Sequence, residues 1–305
     1  MADEVADCIV IGGGPAGLTA AIYLARYHLS VTVFDDNTSR AAVIPVSHNH
    51  AGFPDGISGK DLLDRMRKQT IHYGVAIQRR KVLALEKSGA VFTAHHEGGA
   101  ISARSVLLAT GVINRRPPMP QAQHDEAVAR GLIRYCPVCD GFEVTDRAIG
   151  VIGTGTKGYK EALFLRSYTR DVTLISPNGS HELSPKQKRH LAGCDVRTVS
   201  GPVTKLELQE ETISTDLGGM KLCFASVYPA LGSDVRSELV KGLGARRSGD
   251  GCVIVDAHQR SSVPGLYAAG DVVVGLDQIG HAMGQAGVAA TAIRNDLCEL
   301  ATLLR

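Results

Sequence analysis

The chain has 305 residues, 44% of them apolar, and a formal charge of +2. The length suits one to three compact domains and the apolar content ordinary buried cores, and so small a charge argues against nucleic acid or an anionic membrane surface as a partner. The acidic start, Met1-Ala2-Asp3-Glu4-Val5-Ala6-Asp7, lacks the basic-then-apolar order of a secretory leader, and no apolar run reaches membrane-spanning length, so a soluble cytoplasmic protein is expected.

In chain order, the first predicted unit is the apolar strand Cys8–Ile11, a glycine turn over Gly12-Gly13-Gly14-Pro15-Ala16-Gly17, a helix to about His28, and a second strand, Val31–Phe34, ending at Asp35. Leu18, Ile22 and Ala25 share one face of the helix. In such a turn the first glycine permits a tight bend, the second lets a pyrophosphate approach the backbone, and the third lets the helix pack on the strand. The free N–H groups and the positive end of the helix dipole then meet the phosphates. Asp35 stands 18 residues after Gly17, where an acid binds ribose hydroxyls. Gly12, Gly14, Pro15, Ala16, Gly17 and Asp35 are therefore expected to hold a dinucleotide.

His48 and His50, which flank Asn49, read as loop residues. The run Asn114-Arg115-Arg116-Pro117-Pro118-Met119-Pro120 reads as a stiff connection between two domains. Next comes Cys136-Pro137-Val138-Cys139-Asp140. Two intervening residues let both sulfurs close a small disulfide ring and support low thiol pKa values. Half of a zinc site is the competing reading, but zinc needs four ligands, and no second close Cys/Cys or Cys/His pair is present, so no metal is expected. A merely structural pair is the other alternative. Asp140 could exchange protons with a thiolate or cap a helix. The other five cysteines stand alone, and Cys8, Cys223 and Cys252 lie in strand-like runs as small hydrophobes.

A second strand–turn–helix–strand unit follows: Ile149–Ile152, Gly153-Thr154-Gly155-Thr156-Lys157-Gly158, a helix to about Tyr168, and Val172–Ile175. Gly153, Gly155 and Gly158 mark a possible nucleotide site. No acid closes its second strand, where Ser176-Pro177-Asn178 stands, and no arginine cluster offers a 2′-phosphate site. Binding of a nicotinamide nucleotide and a retained sheet turn without a nucleotide are both open here. The return crossing is expected near Tyr228–Gly232, then a strand Val253–Val255, the run Leu266–Ala269 and a helix from Gln278 to Leu304. Two such units predict an α/β fold with two doubly wound dinucleotide-binding domains.

Four motifs in order give the chain a resemblance to the low-molecular-weight thioredoxin reductases and their flavin-disulfide relatives: Gly12–Gly17; Cys136–Asp140; Gly153–Gly158 followed by Glu161-Ala162; and Gly265-Leu266-Tyr267-Ala268-Ala269-Gly270-Asp271. Smaller matches are Asn49 with Gly52-Phe53-Pro54, and Ala109-Thr110-Gly111. The resemblance implies an FAD-binding domain over 1–116 and 230–305. A nicotinamide-nucleotide-type domain over 117–229, carrying the cysteine pair, would be inserted into it. It implies a homodimer in which Asn49, Thr110, Gly111, Gly270 and Asp271 join the FAD site, with Gln278 and Ile279 near the isoalloxazine. Cys139 would face the flavin, Cys136 would attack an external disulfide, such as that of a thioredoxin-like protein, and Asp140 would be the acid. The expected function is an FAD-dependent disulfide oxidoreductase. The sequence departs from the family at Ser176–Asn178, at Asp277, where an arginine is usual, at Lys157-Gly158 and at His281. These departures leave the electron donor open between NADPH, NADH and another source. His281 reads equally as a catalytic base near neutral pH or as a packing residue. The rival functions are a dithiol oxidase that passes electrons to oxygen, a reductase driven by ferredoxin or flavin, and a redox-responsive FAD-binding protein without fast turnover.

Overall fold

The computed structural model describes residues 5–303, so the acidic residues Asp3 and Glu4 and the expected helix end Leu304 lie outside the described residues. The fold is α/β, with two doubly wound units, the second inserted into the first. One unit comprises the chain up to Ala42, Ser58–Ile113 and the chain from Asp234 onward; the other comprises Val43–Ile57 and Asn114–Ser233. The chain divides at 113/114 and 233/234, where the sequence suggests 116/117 and 229/230. No local feature of the sequence marks Val43–Ile57 as grouping with the second unit.

The first unit is built on a parallel sheet in the order Ala76–Gln78, Val31–Phe34, Ala6–Ile11, Gly99–Leu108, with Leu266–Ala268 beside the end of the long strand. Strands covered on both faces read as continuous apolar runs, and Cys8, Ile9 and Val10 are fully buried. Val82–Ser88 and Val91–His96 extend the same sheet as an antiparallel meander. Helix Pro15–Arg26 packs on the C-terminal helix Ile279–Leu300. Ala20, Ala21, Ala286, Ala289 and Ala290 line this contact and have no exposure. Small side chains let the two axes approach closely, so a larger residue at any of them would overpack the core.

The second unit has four parallel strands in the order Arg197–Val199, Val172–Ile175, Ile149–Ile152, Ser226–Pro229. A three-stranded antiparallel sheet, Lys205–Leu208, Ile213–Asp216 and Lys221–Phe224, accompanies it. Helix Gly155–Leu165 buries Ala162 and Leu165 against Val151 and Leu174.

Several sequence expectations need correction. Val253–Val255 is not a strand: Val253 forms only single bridges, to Arg247 and Val273. Tyr228 does not mark the crossing but sits inside a strand, fully buried. Cys223 is exposed, on the edge strand Lys221–Phe224, and Cys252 is half-buried outside any strand; Cys8 alone of the three is buried. The C-terminal helix is Ile279–Leu300. No helix among the described residues is long and apolar enough to cross a membrane.

Candidate functional site

In the first unit, Gly12 has φ +117°, and a Cβ there would collide with the Ala109 carbonyl oxygen. A Cβ on Gly17 would strike the Gly12 carbonyl, so helix and turn touch backbone to backbone. Gly14 is the N-cap of Pro15–Arg26 and offers no side-chain cap, which leaves the first helical N–H groups to a ligand. Asp35 is 2% exposed. Its carboxylate accepts from the Asn37 N–H (2.9 Å) and pairs with Arg67 (3.4 Å) and Arg79 (3.3 Å). The Nε of Arg67 is buried without a hydrogen-bond partner, a donor that a bound nucleotide would satisfy. Beside it, burial pushes the Asp36 carboxyl upward, but hydrogen bonds from Thr38 and the Arg236 pair outweigh it and hold the carboxyl below its usual range. Open helix N–H groups, a glycine cradle and an unspent buried donor together fit a dinucleotide such as FAD.

Thr110 and Gly111 are tied to Arg236: Thr110 Oγ1 donates to its carbonyl (2.5 Å), and the Gly111 carbonyl accepts its N–H (3.0 Å). Gly270 has φ +80°, and its N–H donates to Gln285 Oε1 (2.9 Å). A Cβ on Gly270 would meet Ala16 at 3.0 Å, so Gly270 abuts the first turn. Asp271 follows, with its carboxyl pushed upward by burial and opposed by Arg40, whose Nε lies 3.4 Å away. Arg40 also pairs with Asp277 (3.1 Å). Gln278 caps the C-terminal helix and Ile279 opens it. His281 is exposed one turn in, over Gly275.

In the second unit Cys136 and Cys139 are joined as a disulfide. Cys136 is the N-cap of the short helix Pro137–Asp140, and its carbonyl accepts from the N–H groups of Cys139 (2.9 Å) and Asp140 (3.2 Å). Asn49 belongs to this unit and donates from Nδ2 to the Val138 carbonyl (3.2 Å). Asp140 closes the helix rather than capping its start. Its carboxylate accepts from Tyr228 Oη (2.9 Å) and Arg134 Nη1 (3.2 Å). Burial raises the Asp140 carboxyl, and Arg134 and Tyr228 oppose that shift. Arg134 and Tyr228 lack any local motif; only the fold brings them to Asp140.

Glu161, on helix Gly155–Leu165, is pushed from 4.5 to about 7, first by burial and then by the negative charge of Asp140. A raised folded value means the native state favours the protonated acid. Its contribution to stability is complete below the ordinary value and is lost as pH rises through about 7. Glu161→Gln should therefore gain stability over the parent as pH rises from 4.5 to about 7 and keep that gain above it, with thermal midpoints about 2–4 °C apart in alkali and converging in acid. Calorimetry across that range checks it.

At the second glycine turn, Gly155 has φ +58°, and Thr154 is the N-cap of its helix. Gly153 and Gly158 are in contact, as close helix–strand packing requires. Thr154 Oγ1 accepts from the Glu182 N–H (2.7 Å), and the Glu182 carbonyl oxygen lies 3.7 Å from where a Cβ on Gly155 would stand. Lys157 Nζ lies 3.0 Å from the corresponding point on Gly232. Ser176 is buried and turns its hydroxyl to the Ser180 carbonyl (3.3 Å).

A family model described as pyridine nucleotide-disulphide oxidoreductase matches residues 6–286. A thioredoxin reductase of Mycolicibacterium smegmatis is 33% identical over 283 residues, covering 88% of this chain and 89% of the relative. One from Streptomyces coelicolor is 32% identical, covering 88% and 87%. The solved thioredoxin reductase of Streptococcus pyogenes superposes with a TM-score of 0.89 at 26% identity, covering 98% of this chain and 100% of that one. The activity class is FAD-dependent thiol–disulfide oxidoreduction of the thioredoxin reductase-like type. The chain belongs to the pyridine nucleotide-disulphide oxidoreductase family.

Proposed function

We propose that this chain exchanges electrons with the disulfide of a thioredoxin-like protein through Cys136 and Cys139. The observation that carries the reading is the closed Cys136–Cys139 pair on a short helix that also bears a half-buried carboxyl, Asp140. FAD, when bound, supplies the two-electron chemistry. In the reduced pair, the Cys136 thiolate attacks the external disulfide and one partner sulfur leaves as a thiolate. Cys139 then attacks Cys136 Sγ in the mixed disulfide and displaces the partner's second sulfur, so the partner departs as a dithiol and the protein pair closes. Asp140 gives or takes the proton of the sulfur that leaves or arrives.

The first unit is the FAD-binding domain in this reading. Gly12, Gly14, Pro15, Ala16 and Gly17 carry the pyrophosphate, Asp35 lies at the ribose, and Gly270 and Asp271 lie toward the ribityl chain. Thr110, Gly111, Gln278 and Ile279 complete the site. Asn49, bonded beside the cysteines, links that pair to its surroundings. We place the protein in the cytoplasm as a homodimer, which sedimentation of the purified protein would check. Purified protein should be yellow, with one FAD per chain. Folded protein without flavin absorbance, which also took up none on adding FAD, would sink the reading. Reduction of a thioredoxin by the reduced protein tests the partner. Rapid consumption of oxygen with a small dithiol, and no reduction of any thioredoxin, would favour an oxidase instead.

A further inference from the structure

Asp140 is held by two residues from elsewhere in the second unit. Tyr228 Oη donates to the Asp140 carboxylate (2.9 Å) and also reaches the Asp140 main-chain carbonyl (3.2 Å), so it grips side chain and backbone together. Arg134 holds the other carboxylate oxygen (3.2 Å). Arg134 is itself fixed: its Nε donates to the Gly131 carbonyl (3.1 Å) and to Ser226 Oγ (3.3 Å), and Ser226 Oγ donates to the same Gly131 carbonyl (2.6 Å). Ser226 and Tyr228 are two apart on the strand Ser226–Pro229, so they project from the same side of it. A sheet strand with a fully buried tyrosine is a rigid mount.

A partly exposed ion pair contributes little by itself, and the Tyr228 hydroxyl adds a second donor to the same carboxylate. Here three bonds converge on the residue next to Cys139, and the same residue carries the proton in the exchange. The geometry points to Tyr228 and Arg134 as positioning residues that orient the Asp140 carboxyl and set its proton affinity during thiol–disulfide exchange. This rests on the reading of Asp140 as the acid. The charged groups facing Asp140 are Arg134, Glu143 from the turn that follows the helix, and Glu161 from helix Gly155–Leu165. Both donors favour the ionised carboxylate, so losing either raises the pH at which Asp140 releases its proton.

The test is the opening of the Cys136–Cys139 disulfide by dithiothreitol in the full-length protein, quenched by alkylation and read by mass. The reagent's thiolate attacks Cys136, the Cys139 sulfur leaves and is protonated, and the reagent's second sulfur then displaces Cys136. The reagent ends as a cyclic disulfide and the pair as two thiols. Rates are taken across pH for the parent, Tyr228→Phe, Arg134→Gln, Arg134→Lys, Asp140→Asn, and double variants that combine Asp140→Asn with Tyr228→Phe or Arg134→Gln. The reagent's own ionisation is common to all and cancels. Asp140→Asn should slow opening by about 10²-fold or more and remove one limb of the pH profile. Tyr228→Phe and Arg134→Gln should move that limb to higher pH by about one unit, and Arg134→Lys should restore it in part. In the Asp140→Asn background neither substitution should change the profile. An unmoved limb in Tyr228→Phe and Arg134→Gln, with the limb absent in Asp140→Asn, would leave the network structural only and overturn the proposal. If Asp140→Asn kept the parent rate and limb, the acid assignment itself would fall, and the proposal with it. Should Tyr228→Phe not fold, the three-way comparison at Arg134 decides alone.

Discussion

Replacing Cys136 with serine should abolish disulfide reduction, by at least about 10³-fold, and leave Cys139 as a lone thiolate. The role that the family resemblance gives Cys139, facing the flavin, then predicts a long-wavelength charge-transfer band in the Cys136→Ser protein. Cys139→Ser should be equally inactive and show no such band. The two proteins differ by one sulfur position, so the spectra assign roles that activity alone cannot. Exchanged spectra would reverse the assignment. Retained turnover in both would remove the pair from the mechanism, and the disulfide would be a staple only.

Reduction by NADPH should be slow, weakly saturable and little better than by NADH. Selectivity for NADPH needs cations at the 2′-phosphate, and selectivity for NADH needs an acid on the 2′-hydroxyl. After the strand Val172–Ile175 the chain offers neither, and Ser176 turns its hydroxyl inward to Ser180. Each missing charged hydrogen bond costs about 1.5–3 kcal/mol, so two weaken binding by roughly 10²–10⁴-fold. The Glu182 carbonyl by Gly155 adds a negative dipole end where a pyrophosphate would approach. Lys157 works the other way, but at the turn it would serve the pyrophosphate common to both nucleotides and give no preference between them. A dithiol, a reduced flavin or reduced ferredoxin should reduce the protein faster. Anaerobic stopped-flow mixing decides: fast bleaching at micromolar NADPH, with NADH far poorer, would mark an ordinary NADPH-driven reductase.

Both glycine turns, their flanking strands and the cysteine pair were legible in the sequence because each is written in contiguous residues. The bend, the bare helix start and the sulfur spacing are local chemistry. Partners drawn from distant segments were not legible. Arg67, Arg79 and Arg236 around Asp35 and Asp36 come from three separate places in the chain. Tyr228 looked like a domain crossing because Pro229 and Gly232 follow it, whereas parallel pairing with Ile149–Ile152 makes it a strand residue. The strand read at Val253–Val255 failed because an apolar run needs a partner along its length, and only Val253 finds one. The grouping of Val43–Ile57 with the second unit has no local signal at all.

The interleaving of the two units sets an order of assembly. The second unit owns Val43–Ile57 and then nothing until Asn114, yet it is complete in sequence at Ser233. The first unit begins earlier but lacks the strand Leu266–Ala268 and the helix Ile279–Leu300, against which Pro15–Arg26 buries its alanine face. On a ribosome the inserted unit can therefore finish while the enclosing one still presents an uncovered apolar helix face. That face is the aggregation-exposed surface of the nascent chain, and pairing ends so far apart in sequence makes its closure slow. A ribosome-bound chain halted shortly after Ser233 should carry a protease-resistant second unit and a first unit still open to cleavage.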